Sequence, residues 1–235
     1  MVETKIPTGC KSLDSLIENG LPFKAVIHIY GESATGKSTL AMQCAKNCVL
    51  TGWKVLVLDN ERTCSSKRLK TICETNYTEV AQSIFVYEPI SFQNQSETIE
   101  GLEKYISDKT KLIIIDTLTT LYRQALTENT EKNILLNRDL NYQLAILKDL
   151  AIRFDLLVLI TNQVRGLIKK RSDKSGIEPV AASILNYWAD YEVQLDFFPD
   201  RQISKRVATI MKHPTISKSK QAEYRLTDDG IQDLE

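Results

Sequence analysis

A chain of 235 residues, 43% hydrophobic and 26% charged, is long enough for one well-buried α/β core and too short for two comfortable ones. Thirty basic residues cancel thirty acidic ones, so net charge by itself predicts no polyanion partner and any such surface must be local. No apolar run approaches the ~20 residues of a membrane span, and the first residues carry no signal-peptide pattern. The five cysteines lack Cys-x-x-Cys spacing, which fits a reduced, cytoplasmic setting, with Cys44 and Cys48 as packing residues one helical turn apart.

The apolar run 25–30 reads as a strand and residues 39–50 as a helix. Between them lies Gly31-Glu32-Ser33-Ala34-Thr35-Gly36-Lys37-Ser38, a complete Walker A phosphate loop in its strand–loop–helix setting. The glycines let backbone N–H groups turn inward around phosphate oxygens, and the helix N-terminus adds its partial positive charge. Lys37 is placed to neutralise β- and γ-phosphates, Ser38 to ligate Mg²⁺, and Thr39 to line the same site. A nucleoside triphosphate with Mg²⁺ is therefore expected; no motif reads the base.

Further along, strands are predicted at 54–58, 84–87, 112–115 and 156–160. Helices are predicted at 66–74, 95–107 and 131–154, the last amphipathic with Leu135, Leu136, Leu140, Leu144, Leu147 and Leu150 on one side. Strands with so little polar alternation are covered on both faces, which points to a doubly wound, mainly parallel α/β sheet. The character changes at 191–197, 206–211 and 223–227, short runs separated by polar turns that read as an antiparallel extension. Neither an internal repeat nor a linker divides residues 1–235, so one domain is expected.

In open α/β sheets, ligands sit at the carboxyl ends of the strands, and three predicted ends carry suitable groups. Asp116 closes the most apolar strand as a Walker B carboxylate, holding Mg²⁺ through water. Asp59-Asn60-Glu61 comes directly after the strand 54–58; Glu61 is the candidate to orient and deprotonate water, Asp59 the rival carboxylate, and a surface pairing of Glu61 with Arg62 or Arg68 the plain alternative. Gln163, after Thr161-Asn162, can hydrogen-bond a γ-phosphate and tie nucleotide state to the segment beyond it. That segment is a basic loop, 164–176, with Arg165, Lys169, Lys170, Arg171 and Lys174 against Asp173, a candidate nucleic-acid element without an aromatic to stack on a base.

In this order, these pieces resemble the RecA-type recombinase superfamily over essentially the whole chain. The resemblance begins at Ile6-Pro-Thr-Gly9-Cys-Lys-Ser-Leu13-Asp14-Ser-Leu16. It runs through the phosphate loop, the 59–61 strand end, Asp116-Thr117-Leu-Thr-Thr-Leu-Tyr122-Arg123, Leu136-Asn137-Arg138-Asp139-Leu140 and Thr161-Asn162-Gln163-Val164, and ends at Lys212-His213 and 222–231. It implies a RecA-like ATPase core acting on DNA in repair and recombination, with ATP and Mg²⁺ as cofactors. Glu61 matches the family's catalytic glutamate, and Gln163 the residue that couples γ-phosphate to the second DNA-binding loop. Lys212 matches a lysine that reaches a neighbouring subunit's nucleotide.

Several features depart from the strand-exchange members. The sequence starts at the core, without the N-terminal helical domain or the Phe-x-x-Ala linker. Pro179-Val180-Ala181-Ala182 replaces a Pro-x-Gly-Gly, putting two alanines where φ > 0 is costly. The segment after Arg123 is less basic than a first DNA-contacting loop. An accessory or mediator role is therefore expected: slow hydrolysis, weak sequence-indifferent binding of single- or double-stranded DNA, self-association no further than a small oligomer, and a full-length RadA-type recombinase as partner. A non-hydrolysing ATP-gated adaptor and a KaiC-like signalling ATPase are the alternatives on the same core.

Overall fold

The computed structural model describes residues 5–166, 177–198, 204–216 and 219–234. Ten strands form one sheet in the order β10-β9-β8-β7-β1-β5-β4-β2-β3, with β6 paired to β5 off this path. The parallel part comprises β1 (Ala25–Gly31), β2 (Lys54–Asp59), β3 (Ile84–Tyr87), β4 (Thr110–Asp116), β5 (Leu157–Gly166) and β7 (Tyr191–Phe197). Beyond β7 the pairing turns antiparallel through β8 (Lys205–Lys212), β9 (Gln221–Thr227) and β10 (Gly230–Gln232). Mainly parallel with an antiparallel extension is the architecture the apolar patterning predicts.

Why the central strands lack polar alternation is visible in the two cores. Ile27, Ile29, Val55, Val57, Leu112, Ile114, Leu157 and Leu159 pack on one face with α2 (Lys37–Leu50), α3 (Ser66–Cys73) and α4 (Tyr77–Ser83). Val26, Leu56, Leu58, Ile113, Ile115, Val158 and Ile160 pack on the other with α5 (Phe92–Gly101), α6 (Thr119–Ala125), α7 (Thr130–Arg153) and α8 (Ala182–Trp188). Successive side chains point to opposite faces, and both faces are covered. Cys44 and Cys48 are fully buried in the first core as free thiols.

The structure corrects four local expectations. In α7, Leu140, Leu144, Leu147 and Leu150 are buried, but Leu136 only partly, and Leu135 is 48% exposed. Leu135 lies five positions before Leu140, off the i+3/i+4 stripe that faces the core. The strand predicted at 156–160 continues to Gly166, so residues 164–166 belong to a strand rather than a loop, and they pair antiparallel with β6 (Ile177–Pro179). Ala181 takes a left-handed conformation (φ 55) at the start of α8, despite its methyl group. The short helices α1 (Lys11–Leu16), α4, α6 and α8 have no counterpart in the sequence reading.

Candidate nucleotide-binding site

Parallel pairing brings the predicted strand ends together. Gly31 is in register with Gln163 on the neighbouring β5, and Asp59 with Asp116 across β2 and β4. Beside them the phosphate loop turns from β1 into α2. Gly36 (φ 102) is the N-cap of α2, and its glycine is required by the left-handed backbone. At Gly31 the constraint is space: a Cβ would lie 2.1 Å from the carbonyl oxygen of Leu195 in β7. Inside the loop, Thr35 Oγ1 donates to the carbonyl of Glu32 at 2.9 Å.

A pocket of about 340 Å³ opens on this loop, lined by Lys37, Ser38, Glu61, Thr117, Gln163 and Arg206 among others, with Ser33, Ala34, Gly36 and Thr39 along its edge. Lys37 is buried, and its ammonium donates to the carbonyls of Gly31 (3.0 Å) and Glu32 (2.7 Å). Burial pushes its pKa below the usual lysine value, while Asp116 and Glu61 pull it back up. A desolvated cation facing two carboxylates in a cleft, with backbone N–H groups at a helix start, suits a polyanion with a divalent metal.

Asp116 is buried at the end of β4. Its carboxylate accepts hydrogen bonds from Thr161 and from Thr63 (2.9 Å). Burial raises its pKa, and the hydrogen bonds from Thr161, Ser38 and Thr63 oppose that shift. The Ser38 hydroxyl lies near Asp116, a hydroxyl and a carboxylate that can share one Mg²⁺ shell.

The two carboxylates at the end of β2 have different surroundings. Asp59 is 1% exposed and accepts from the backbone N–H of Thr63 (3.0 Å) and of Cys64 (2.7 Å), so it ties down the turn into α3. Glu61 faces the pocket. One oxygen accepts from Thr120 (2.7 Å), Thr117 (3.2 Å) and the side-chain amide of Gln163 (2.7 Å). Neither arginine of the alternative pairing takes it: Arg62 faces Glu88, and Arg68 donates to the Asp228 carbonyl and the Thr39 hydroxyl. Behind Glu61 runs a chain of buried amides. Asn60 donates to Gln95 (2.8 Å), Gln95 to Gln143 (2.7 Å), and Gln143 to the Ser96 hydroxyl (2.6 Å).

Lys212 lies away from its own phosphate loop, at the other end of β8 from Arg206. Its ammonium donates to the carbonyls of Asn186 and Ala189 (2.7 Å), at the end of α8. Of the basic-loop residues, Arg165 pairs through its backbone with Glu178, whereas Lys169, Lys170, Arg171 and Lys174 lie outside the described residues.

Two residues at the loop are absent from the sequence reading. The Arg206 guanidinium stacks over Phe197 (4.5 Å) and donates to the Ala34 carbonyl at 3.3 Å, and fully buried Tyr224 donates to the Thr35 carbonyl at 2.7 Å. The available signal was register: Arg206, Ala208 and Ile210 are the buried alternates of β8, so an arginine stands in a core-facing column.

The likeness to known proteins extends along nearly the whole chain: the Rad51 family model matches residues 2–234. The chain belongs to the Rad51 family. Within that family it is similar to the "DNA repair and recombination protein RadB" of Archaeoglobus fulgidus, 35% identical over 97% of each chain. The protein of the same name from Methanobrevibacter smithii is 32% identical, over 97% of this chain and 95% of that one. A crystal structure described as the RadB recombinase superposes with a TM-score of 0.81 at 31% identity, covering 98% of this chain and 100% of that one. Rad51-family proteins are in general ATPases that use ATP and Mg²⁺. The pocket's lysine, hydroxyl and two carboxylates suit that chemistry.

Proposed function

We propose that the protein is a slow, Mg²⁺-dependent ATPase that serves as an accessory or mediator factor in homologous recombination in the cytoplasm. Its proposed partners are DNA, bound weakly and without sequence preference, and a full-length recombinase of the RadA type; self-association belongs to the same reading. The observation that carries the ATPase part is the shared hydrogen bond of Glu61 and Gln163 at the mouth of the phosphate-loop pocket.

Lys37 and the backbone N–H groups of residues 33–38 would hold the phosphates, and Ser38 and Asp116 would hold the metal. Bound Mg²⁺ would supply charge neutralisation of the phosphate oxygens. Glu61 is the group that takes a proton from water. One of its oxygens already accepts three hydrogen bonds, from Thr117, Thr120 and Gln163. Turnover is slow while Gln163 stays on Glu61, and it rises when the amide turns to a γ-phosphate.

The chain's similarity to proteins named for DNA repair and recombination supports the DNA part of the reading. The test is phosphate release with and without single-stranded DNA, paired with binding titrations at several salt concentrations. Replacing Lys169, Lys170 and Arg171 by alanine should weaken DNA binding and flatten the log–log salt slope by roughly two units, at about −0.7 per phosphate. Turnover without DNA should hold. An unchanged slope would remove this segment from the DNA interface.

A further inference from the structure

On the face of the sheet covered by α5, α6 and α7, a groove of about 620 Å³ lies apart from the phosphate loop. Phe92, Leu136 and Tyr142 give it an apolar and aromatic floor; Glu97, Glu100 and Asp139 line its rim, and among the described residues no lysine or arginine lines it. Gln93 donates to Glu97 at 3.0 Å, and Asp139 meets its sequence neighbour Arg138 at 3.7 Å, a pair 46% or more exposed. In the groove Tyr142 is 57% exposed, and Ile134 (60% exposed) and Leu135 (48%) directly precede the lining residue Leu136 in α7. Ile134, Leu135 and Leu136 are thus three consecutive apolar residues on a surface turn of α7, a pattern that core packing does not account for.

We propose that this groove docks a segment of a partner protein that carries arginine or lysine beside a large apolar side chain. Charge complementarity selects the occupant. Glu97 and Glu100, with Asp139 only weakly paired to exposed Arg138, repel phosphodiesters and anionic lipid, and attract a guanidinium or ammonium. The apolar floor of Phe92, Leu136 and Tyr142 supplies the desolvated centre that such contacts need, with the carboxylates as a polar rim. The floor is also held in shape. Gln143 of α7 bonds to both Gln95 and Ser96 of α5, and Phe92 meets Tyr122 edge-on at 5.6 Å, so little ordering is required on binding. This inference does not depend on nucleotide chemistry.

The test uses a fluorescein-labelled seven-residue peptide alternating arginine or lysine with leucine or phenylalanine, titrated with the full chain and read by anisotropy. Saturable binding is expected, weakened about tenfold or more by the double change Glu97→Lys and Glu100→Lys, and about threefold by Tyr142→Ala. Reversing two exposed acids on the other face of the sheet, Glu74→Lys and Glu79→Lys, should leave affinity unchanged. The groove variants should keep wild-type ATP turnover and thermal midpoint, which separates a lost surface from a lost fold and from any failure of the ATPase reading. Equal weakening by the Glu74/Glu79 pair, or equal binding of a peptide with glutamates in place of its cations, overturns the proposal. So does a wild-type dimer in sedimentation that the Glu97/Glu100 change disperses, since the occupant would then be a second copy of this chain.

Discussion

The parallel and antiparallel halves of the sheet meet the same phosphate loop and treat it differently. From β5 and the turn after β2, Gln163 and Glu61 line the pocket, and at the end of β4 the buried Asp116 lies behind it, bonded to the lining residue Thr63. From β7, β8, β9 and β10 come contacts with the loop's backbone and with Gly36, and Arg206 and Leu226 also line the pocket wall. The Leu195 carbonyl closes on Gly31, Arg206 holds Ala34, Tyr224 holds Thr35, and Leu226 and Ile231 crowd Gly36. The parallel half supplies reactive groups and the antiparallel half supplies shape. Groups of the first kind should control turnover, and groups of the second kind affinity.

The hardest test of that division is Glu61→Gln, expected to lower ATP turnover by about 10²–10⁴ while leaving ATP affinity within about threefold. Asp59→Asn is its contrast. With two backbone N–H groups left on a weaker acceptor, thermal stability should fall by about 1–3 kcal/mol, but turnover at a permissive temperature should stay within about threefold. If the two variants exchange phenotypes, Asp59 is the base. Next in size, Lys37→Ala should raise the Kd for ATP by about a hundredfold in calorimetry, because it removes a desolvated cation from the phosphate site.

On the antiparallel side, Tyr224→Phe leaves the Thr35 carbonyl without its donor. A rise of about three- to tenfold in the Kd for ATP is expected, with the rate at saturation unchanged. A fall in that saturated rate instead would show that the bracing strands act on chemistry as well.

The smallest effect lies at the opposite end of β1 and β7. Glu192 is buried there, which raises its pKa; contacts with His28, together with Asn186 and Lys212, more than offset burial and hold it below the ordinary 4.5. A carboxylate with a depressed native pKa contributes stability above its unfolded value and loses it as pH falls through the lower native one. Glu192→Gln should therefore flatten the acid limb of a stability–pH curve below about 4.5, with no change in ATP affinity at neutral pH.

Much of the parallel half is legible in sequence for a physical reason. Strands buried on two faces are nearly uninterrupted apolar runs, and the polar residues that end them stand out against that background. Gly31–Ser38 and Asp116 are visible in this way, and the 54–58, 84–87 and 112–115 strands lie within a residue or two of their final limits. The bracing residues are hidden because they act on backbone atoms from strands distant in sequence. Nothing local to Arg206 or Tyr224 points to Ala34 or Thr35. Asp59 and Glu61 could be ranked from sequence but not separated, since what separates them is where the N–H groups of Thr63 and Cys64 turn. The left-handed Ala181 shows tertiary packing overriding intrinsic preference, which costs roughly 1–2 kcal/mol at a non-glycine residue.

The closeness of Gly31 to Leu195 bears on how the protein is made. The phosphate loop leaves the ribosome well before the carbonyl that fixes its first glycine and before the arginine and tyrosine that fix its crest, which lie 172 and 189 residues downstream of the atoms they hold. Strand β1, between β5 and β7, likewise waits for partners encoded far downstream. A nascent chain therefore displays the motif well before it owns the site. Competence to hold a nucleotide arrives late, with the last strands, and a chain stalled before β7 would carry the whole motif without its binding shape.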